Sequence, residues 1–252
     1  VDLATAQAIS ERYAEVVVAP DYEEGAVEIL ARRKNLRIMR IDNIERLAQF
    51  AAERFVDFKS LIDGSVIAQL SYLPTARTAD DLQLAETVFK DQVYRVEREP
   101  TEKEIEDMLF GWLVEAGVTS NSVLYVKDLV TVGIGTGEQD RVGVAEIARD
   151  KAYRKLSDRM AFERYGVNYS SLDDDVRRPI DAEVAERHGG LKGAVMVSDA
   201  FFPFRDGLDV GLREGVTAVI QPGGSLNDYQ AIEACNEAGA TMVFTGQRSF
   251  KH

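Results

Sequence analysis

Short apolar runs alternate with amphipathic stretches along most of this chain. "TAQAISERY" has the spacing of an amphipathic helix, with Asp2 or Thr5 as its N-cap. "AEVVVAP" is a continuous apolar run stopped by Pro20, the pattern of a buried strand. "DYEEGAVEILARRK" carries acids in its first turn and bases in its last, the order that complements a helix dipole. "LRIMRI" alternates as a strand does, a helix is predicted near "NIERLAQFAAERF", and a strand at "SVIAQLSYL". Helices set between short apolar strands predict an α/β layer structure with some parallel pairing.

Residues 73–116 change character. Pro74 and a polar stretch lead to a candidate strand in "DQVYRVEREP", then to "PTEKEIEDMLFGWLVEAG", the clearest helix in the chain. Thr101 and Glu104 form a capping box there and Gly117 is expected to close it. The organisation predicted is thus a first α/β lobe over residues 1–72, a linking segment with a helix over 73–116, and a second α/β lobe over 117–252. In that second lobe "NSVLYVKD" and "VTVGIGTG" read as two strands joined by a tight polar turn, followed by a long helix from "VAEIARDKAY". "SLDDDVRRPIDAEVAERHGGLKG" is charged and poorly periodic, so it is expected to be an exposed insertion. "AVMVSDAFFPF", "GLDVGLREG", "VTAVIQPG", "LNDYQAIEACNEAG" and "TMVFTG" then give strand, helix, strand, helix, strand.

Composition narrows the function classes. Forty-five per cent of the 252 residues are hydrophobic, enough for a packed core, and the formal net charge is -13. That charge argues against sequence-independent nucleic-acid binding, which needs clustered Lys and Arg, but leaves room for a locally positive pocket. No apolar run approaches the ~20 residues of a membrane span, and the first residues lack the features of a signal peptide. One cysteine, Cys235, suits a reducing cytoplasm. Two histidines, His188 and His252, with that one cysteine fall short of a zinc site, and no GxSxG elbow marks a nucleophilic serine. The first residue is Val, so a partial chain is expected.

Five stretches carry candidate chemistry. "GIGTGEQDR" lies between a strand and a helix, where backbone amides can face an anion, with Arg141 at the helix mouth; a tight structural turn explains it equally. It matches neither a dinucleotide fingerprint nor a Walker loop. In "TSNSVLY", Asn121 offers a donor and an acceptor to a carboxamide-like edge, or simply closes a turn. "SDAFFPFRDG" sets Phe201, Phe202 and Phe204 beside Arg205 and Asp206, an apolar wall with ionised groups, as in a ligand pocket. The alternative is that the rings are core and Arg205 pairs with Asp206. "QPGGSLNDYQ" offers Gly224 and Ser225 as a pocket wall, or Ser225 as an N-cap. "GQRSFKH" ends in a basic tail that either frays or folds back onto a phosphate.

Together "SNSVLYVKD", "GIGTGEQDR", "SDAFFPFRD", "QPGGS" and "FTGQRSFKH", in that order, resemble the AICAR transformylase region of the AICAR transformylase/IMP cyclohydrolase family, and "VVVAPDYEEGAVEILARRKNLRIM" is similar to an upstream stretch of it. The resemblance spans nearly the whole chain. It implies a formyltransferase of purine biosynthesis that moves a formyl group from 10-formyltetrahydrofolate to AICAR, an aminoimidazole carboxamide ribonucleotide. It implies cytidine-deaminase-like α/β lobes with a mixed sheet flanked by helices and no zinc, in an intertwined homodimer, or in association with a chain that supplies a missing lobe. It also implies roles: Asn121, the catalytic candidate, with Arg141, Arg248 and Phe250 on the nucleotide; Phe201, Asp206, Gly224 and Ser225 on the folate; and a monovalent cation such as potassium near Ser122 and Asp199.

The sequence departs from the family pattern in one respect that bears on mechanism. The family's catalytic Lys-His pair lies in a KHxNPxG motif that does not occur here; the only Lys-His is Lys251-His252. The RYGENPHQ motif and the cyclohydrolase domain are also absent. A chain that binds the substrates while its base lies elsewhere, or a non-catalytic folate- and nucleotide-binding subunit, are the two expectations.

Overall fold

In the computed structural model, which describes residues 1–251, the chain falls into two units, Val1–Leu73 and the segment from Pro74 onward. The first unit contains helices α1 (Leu3–Ser10), α2 (Ala26–Leu30) and α3 (Leu47–Phe50) and strands β1 (Val16–Ala19), β2 (Arg37–Arg40), β3 (Val56–Ser60) and β4 (Val66–Leu70). Asp2, not Thr5, caps α1, accepting the Thr5 N–H at 2.7 Å. β1 and β2 pair in parallel, Val17 opposite Ile38, and the Tyr22 hydroxyl donates to Met39 O at 2.7 Å. Ala6, Ala26 and Leu30 form a small fully buried core. The helix predicted around residues 43–55 shrinks to a 3-10 turn and the single turn of α3, and the chain then enters β3, paired antiparallel with β4. Leu47, Phe50 and Phe55 stay exposed, the two rings meeting each other at 6.0 Å, so no buried face supports a longer helix.

The second unit contains β5 (Gln83–Leu84), β6 (Glu86–Phe89), β7 (Gln92–Arg95), α4 (Glu102–Glu115), β8 (Val123–Lys127), β9 (Val130–Gly135), α5 (Arg141–Tyr165), α6 (Asp174–Glu186), β10 (Val195–Ser198), α7 (Asp206–Arg213), β11 (Ala218–Gln221), α8 (Asp228–Glu237) and β12 (Thr241–Phe244). Six strands form one mixed sheet in the order β5-β12-β11-β10-β8-β9. β10, β11 and β12 are parallel; β8 runs antiparallel to β10, and β5 and β9 close the edges antiparallel. Alternate strand residues go to opposite faces. Leu124, Val126, Val195, Val197 and Ile220 meet Met108 and Trp112 of α4. Val123, Tyr125, Met196, Val219 and Met242 join Val144, Ala148, Leu208 and Ile232 of α5, α7 and α8 on the other face. Burial on both faces is why these strands read as unbroken apolar runs.

The helix on the segment read as a link, α4, therefore packs on this sheet. Its capping box is formed, with the Thr101 N–H donating to Glu104 Oε2 at 2.8 Å, and the C-cap is Ala116, one residue before the expected glycine. The stretch expected to be an exposed insertion is mostly helix: α6 spans 13 residues and buries Ile180 and Val184 against Leu156, Met160 and Ala161 of α5. Pro179 and the dense charge conceal that one-turn apolar pair. Gly133 and Gly135 of the "GIGTG" stretch lie in β9, where an added Cβ would stand 2.1 Å from Ala148 O and Val144 O respectively. Those glycines let the α5 backbone rest on the strand.

Candidate functional site

The ends of three segments meet where the parallel strands finish. β8 begins beside the end of β10, with Val123 opposite Ser198, so Asn121 and Ser122 come next to Asp199. The tail after β12 folds back over both: the Ser249 N–H donates to Asp199 O at 2.8 Å, the Ser120 N–H to Lys251 O at 2.9 Å, and the Lys251 N–H to Ser120 Oγ at 3.0 Å. The basic tail is thus held by backbone hydrogen bonds up to Lys251; His252 lies outside the described residues. Around this junction is a cavity of about 310 Å³ lined by Asn121, Gln139, Arg141, Phe201, Arg248 and Phe250 among others. It occupies the carboxyl end of parallel strands, where open α/β sheets hold ligands.

Arg141 is the first residue of α5 and is 8% exposed. Its Nη1 donates to Ser122 O at 2.9 Å, Ser198 Oγ at 3.0 Å and Asp199 Oδ1 at 2.5 Å. Asp199 Oδ2 accepts the Ser122 N–H at 3.1 Å. One nitrogen of Arg141 therefore anchors the residue, while Nε and Nη2 have no protein partner among the described residues. The N-terminus of α5 is capped internally, Asp140 Oδ1 accepting the Gly143 N–H at 2.7 Å. Arg248 is exposed and has no carboxylate partner among the described residues; its guanidinium lies 4.7 Å from the Phe201 ring and 5.8 Å from the Phe250 ring. Two guanidinium groups thus face one cavity on an acidic chain, an arrangement that selects an anion with a flat partner.

The Asn121 side chain donates from Nδ2 to Glu138 O at 3.0 Å and Gln139 O at 3.1 Å, which leaves Oδ1 without a partner among the described residues. It closes a turn, as one of the two sequence readings has it, and its Oδ1 stays open to a further donor. Behind it, the Ser122 hydroxyl donates to Glu115 Oε1. Glu115 is fully buried, and burial pushes its carboxyl up to about 8, with Asp199 adding to the rise while the Ser122 hydrogen bond and Arg141 oppose it. Its Oε2 is buried without a partner among the described residues. Glu115 was not legible as a site residue, although an acid in line with Met108, Gly111 and Trp112 on a buried helix stripe was the available signal. Ser122, Asp199 and Glu115 bring hydroxyl and carboxylate oxygens together, Glu115 Oε2 alone of them unsatisfied among the described residues, the donor type that a monovalent cation such as the resemblance implies would take.

Other predicted residues lie elsewhere. Asp206 is exposed at the start of α7, its Oδ1 accepting the neighbouring Gly207 N–H at 2.8 Å and no other donor among the described residues. Of the three phenylalanines, Phe202 is core, Phe204 is exposed and Phe201 alone lines the cavity. Arg205 pairs with Asp209 at 3.1 Å and Glu237 at 2.6 Å rather than with Asp206. Gly224 and Ser225 belong to a turn whose N–H groups donate to Asp228 Oδ2 at 2.8 and 3.0 Å, and Asn227, not Ser225, holds the N-cap position of α8. Neither lines the cavity, though Asn227 Nδ2 ties that turn to Pro203 O at 2.8 Å. Among the described residues no cluster of three or more His, Cys, Asp or Glu side chains suits a metal ion, and no helix is long and apolar enough to cross a membrane.

Fold and site together define a mixed α/β protein with a cavity lined by two guanidinium groups at the carboxyl end of its parallel strands. The chain belongs to the AICARFT/IMPCHase bienzyme family, whose model matches residues 1–151. Along its full length it is 38% identical to the bifunctional purine biosynthesis protein PurH of Magnetococcus marinus, covering 40% of that protein. It is likewise 38% identical to PurH of Aquifex aeolicus and 36% identical to PurH of Clostridium perfringens, covering 39% and 38% of those proteins. The chain thus spans about two fifths of the length of these relatives.

Proposed function

We propose that this chain carries the folate- and nucleotide-binding part of a purine-biosynthetic formyltransferase, moving a formyl group from 10-formyltetrahydrofolate to the amino group of AICAR to give formyl-AICAR. The observation that carries this reading is the cavity of a family member in which Arg141, Arg248 and the free acceptor of Asn121 converge. Arg248, with Phe250, would hold the nucleotide through its phosphate, the charge-assisted contact that an unpaired guanidinium makes best. Arg141 would use Nε and Nη2 on the same ligand, and Asn121 Oδ1 would accept an N–H of the reacting amine. Phe201 would present the remaining ring face to the folate. Asp206, at the start of α7, and the Gly224–Ser225 turn would take the folate, the carboxylate accepting from the pterin's amino and ring N–H groups.

In the transfer the amine nitrogen bonds to the formyl carbon, the carbon–N10 bond breaks, one amine proton leaves and N10 ends protonated. A poorly nucleophilic aromatic amine needs a base for that proton and donors for the tetrahedral oxyanion. The family's Lys-His pair is not in this sequence, so the base is assigned to another segment or chain, and the unit would act as a cytidine-deaminase-like lobe within a cytoplasmic homodimer or split enzyme. Potassium, if held by Ser122, Asp199 and Glu115, would neutralise the surplus buried carboxylate. A second reading is a non-catalytic folate- and nucleotide-binding subunit.

Calorimetry and a formyl-transfer assay separate the two. The chain should bind AICAR, Arg248→Ala should weaken that binding by roughly 10- to 100-fold, and Asp206→Ala should weaken binding of a folate analogue. Turnover should appear only when a segment bearing the Lys-His motif is added. Binding without turnover under that condition supports the second reading, and AICAR affinity unchanged in Arg248→Ala overturns both.

A further inference from the structure

Glu115 ends α4 on the helix's buried stripe, where an acid is disfavoured twice over, by desolvation and by the negative end of the helix dipole. A leucine there would continue the apolar stripe at lower cost. The carboxyl nevertheless accepts the Ser122 hydroxyl hydrogen. Ser122 is thereby held at three points: by Oγ to Glu115, by its N–H to Asp199 Oδ2, and by its carbonyl oxygen from Arg141 Nη1. The residues on either side of that clamp, Asn121 and Arg141, both line the 310 Å³ cavity. Glu115 itself does not.

We propose that Glu115 is a positioning residue for the cavity, holding Ser122, and through it the Asn121 carboxamide and the Arg141 guanidinium, in the geometry that receives a nucleotide. The ligand's identity rests on the function proposed above; the positioning role does not. Removing the acceptor frees the Ser122 hydroxyl in a buried space and loosens the backbone that carries Asn121 and accepts Arg141. A glutamine keeps an acceptor at the same place and preserves the clamp, whereas leucine of similar volume does not.

The test uses the whole 252-residue chain and reads the Asn121 carboxamide and Arg141 guanidinium signals in ¹H–¹⁵N spectra. Glu115→Leu and Ser122→Ala should each shift or broaden both signals, while Glu115→Gln leaves them as in the wild type. If Glu115→Leu fails to fold, Ser122→Ala removes the same bond from its other end, and unchanged signals in that variant overturn the proposal. AICAR binding supplies a second readout: each of the two disruptive variants should weaken it roughly three- to tenfold, and the double variant should be no weaker than the worse single one. Additive losses overturn the clamp. A wild-type chain that does not bind AICAR would overturn the proposed function instead, while the spectra still decide the role of Glu115.

Discussion

Glu104 serves two ends at once, and its charge state can be followed. Its carboxylate accepts the Thr101 N–H in the capping box and receives Arg98 at 2.8 and 2.9 Å. Burial alone would raise its pKa, but the bonds from Arg98 and Thr101 outweigh burial and bring it down to about 2. The native state therefore binds a proton less readily than the unfolded chain, so this contribution is present above the ordinary glutamate pKa of ~4.5 and is lost as pH falls towards 2. Glu104→Gln should cost about 1–2 kcal/mol at pH 7, and the gap from wild type in urea unfolding should narrow between pH 4.5 and 2. A gap that stays constant would show that the ion pair contributes nothing. The Thr101–Glu104 box was legible because a cap is local, three residues apart. Arg98 was not, since its pairing depends on where the chain enters α4.

At the scale of elements, "GIGTGEQDR" shows how one pattern serves two physical demands. As sequence it is a glycine-rich link between strand and helix, open to an anion. As structure, its first two glycines lie within β9 under α5, and the helix N-terminus is capped by Asp140. Gly133→Ala should cost about 3 kcal/mol, because its Cβ would meet the backbone carbonyl of Ala148 and no rotamer can relieve it. Thermal unfolding measures this, and a loss below ~1 kcal/mol would mean that α5 can rise off the strand. The reverse lesson holds for α6, whose two buried residues were hidden by charge and Pro179. A helix with one short apolar stripe needs its neighbour before it can be recognised. Strands β8, β10, β11 and β12 of the six-stranded sheet were readable directly, because burial on both faces leaves an uninterrupted apolar run, whereas the two-residue edge strand β5 was not.

For the molecule as a whole, the first unit poses the main question. Its β3–β4 hairpin exposes Val56, Phe58, Ile62, Val66 and Leu70, and nothing in the unit covers them. A two-stranded hairpin is marginal by itself, and apolar patches of this kind mark interfaces. The chain should therefore form dimers or larger assemblies in solution, and Phe58→Lys with Ile62→Lys should dissociate them; a monodisperse wild-type monomer in light scattering would contradict this. Sequence by itself determined the α/β class, the order of most strands and helices, and the family, since these depend on local periodicity, capping and ordered motifs. It also named five residues that line the cavity: Asn121, Arg141, Phe201, Arg248 and Phe250. Only the tertiary structure decided which of three adjacent phenylalanines faces that cavity, where Arg205 finds its acids, and that Glu115 stands behind Ser122. Those outcomes depend on contacts between residues far apart in the chain, where side-chain direction and burial are set by the neighbour's position and leave no local pattern to read.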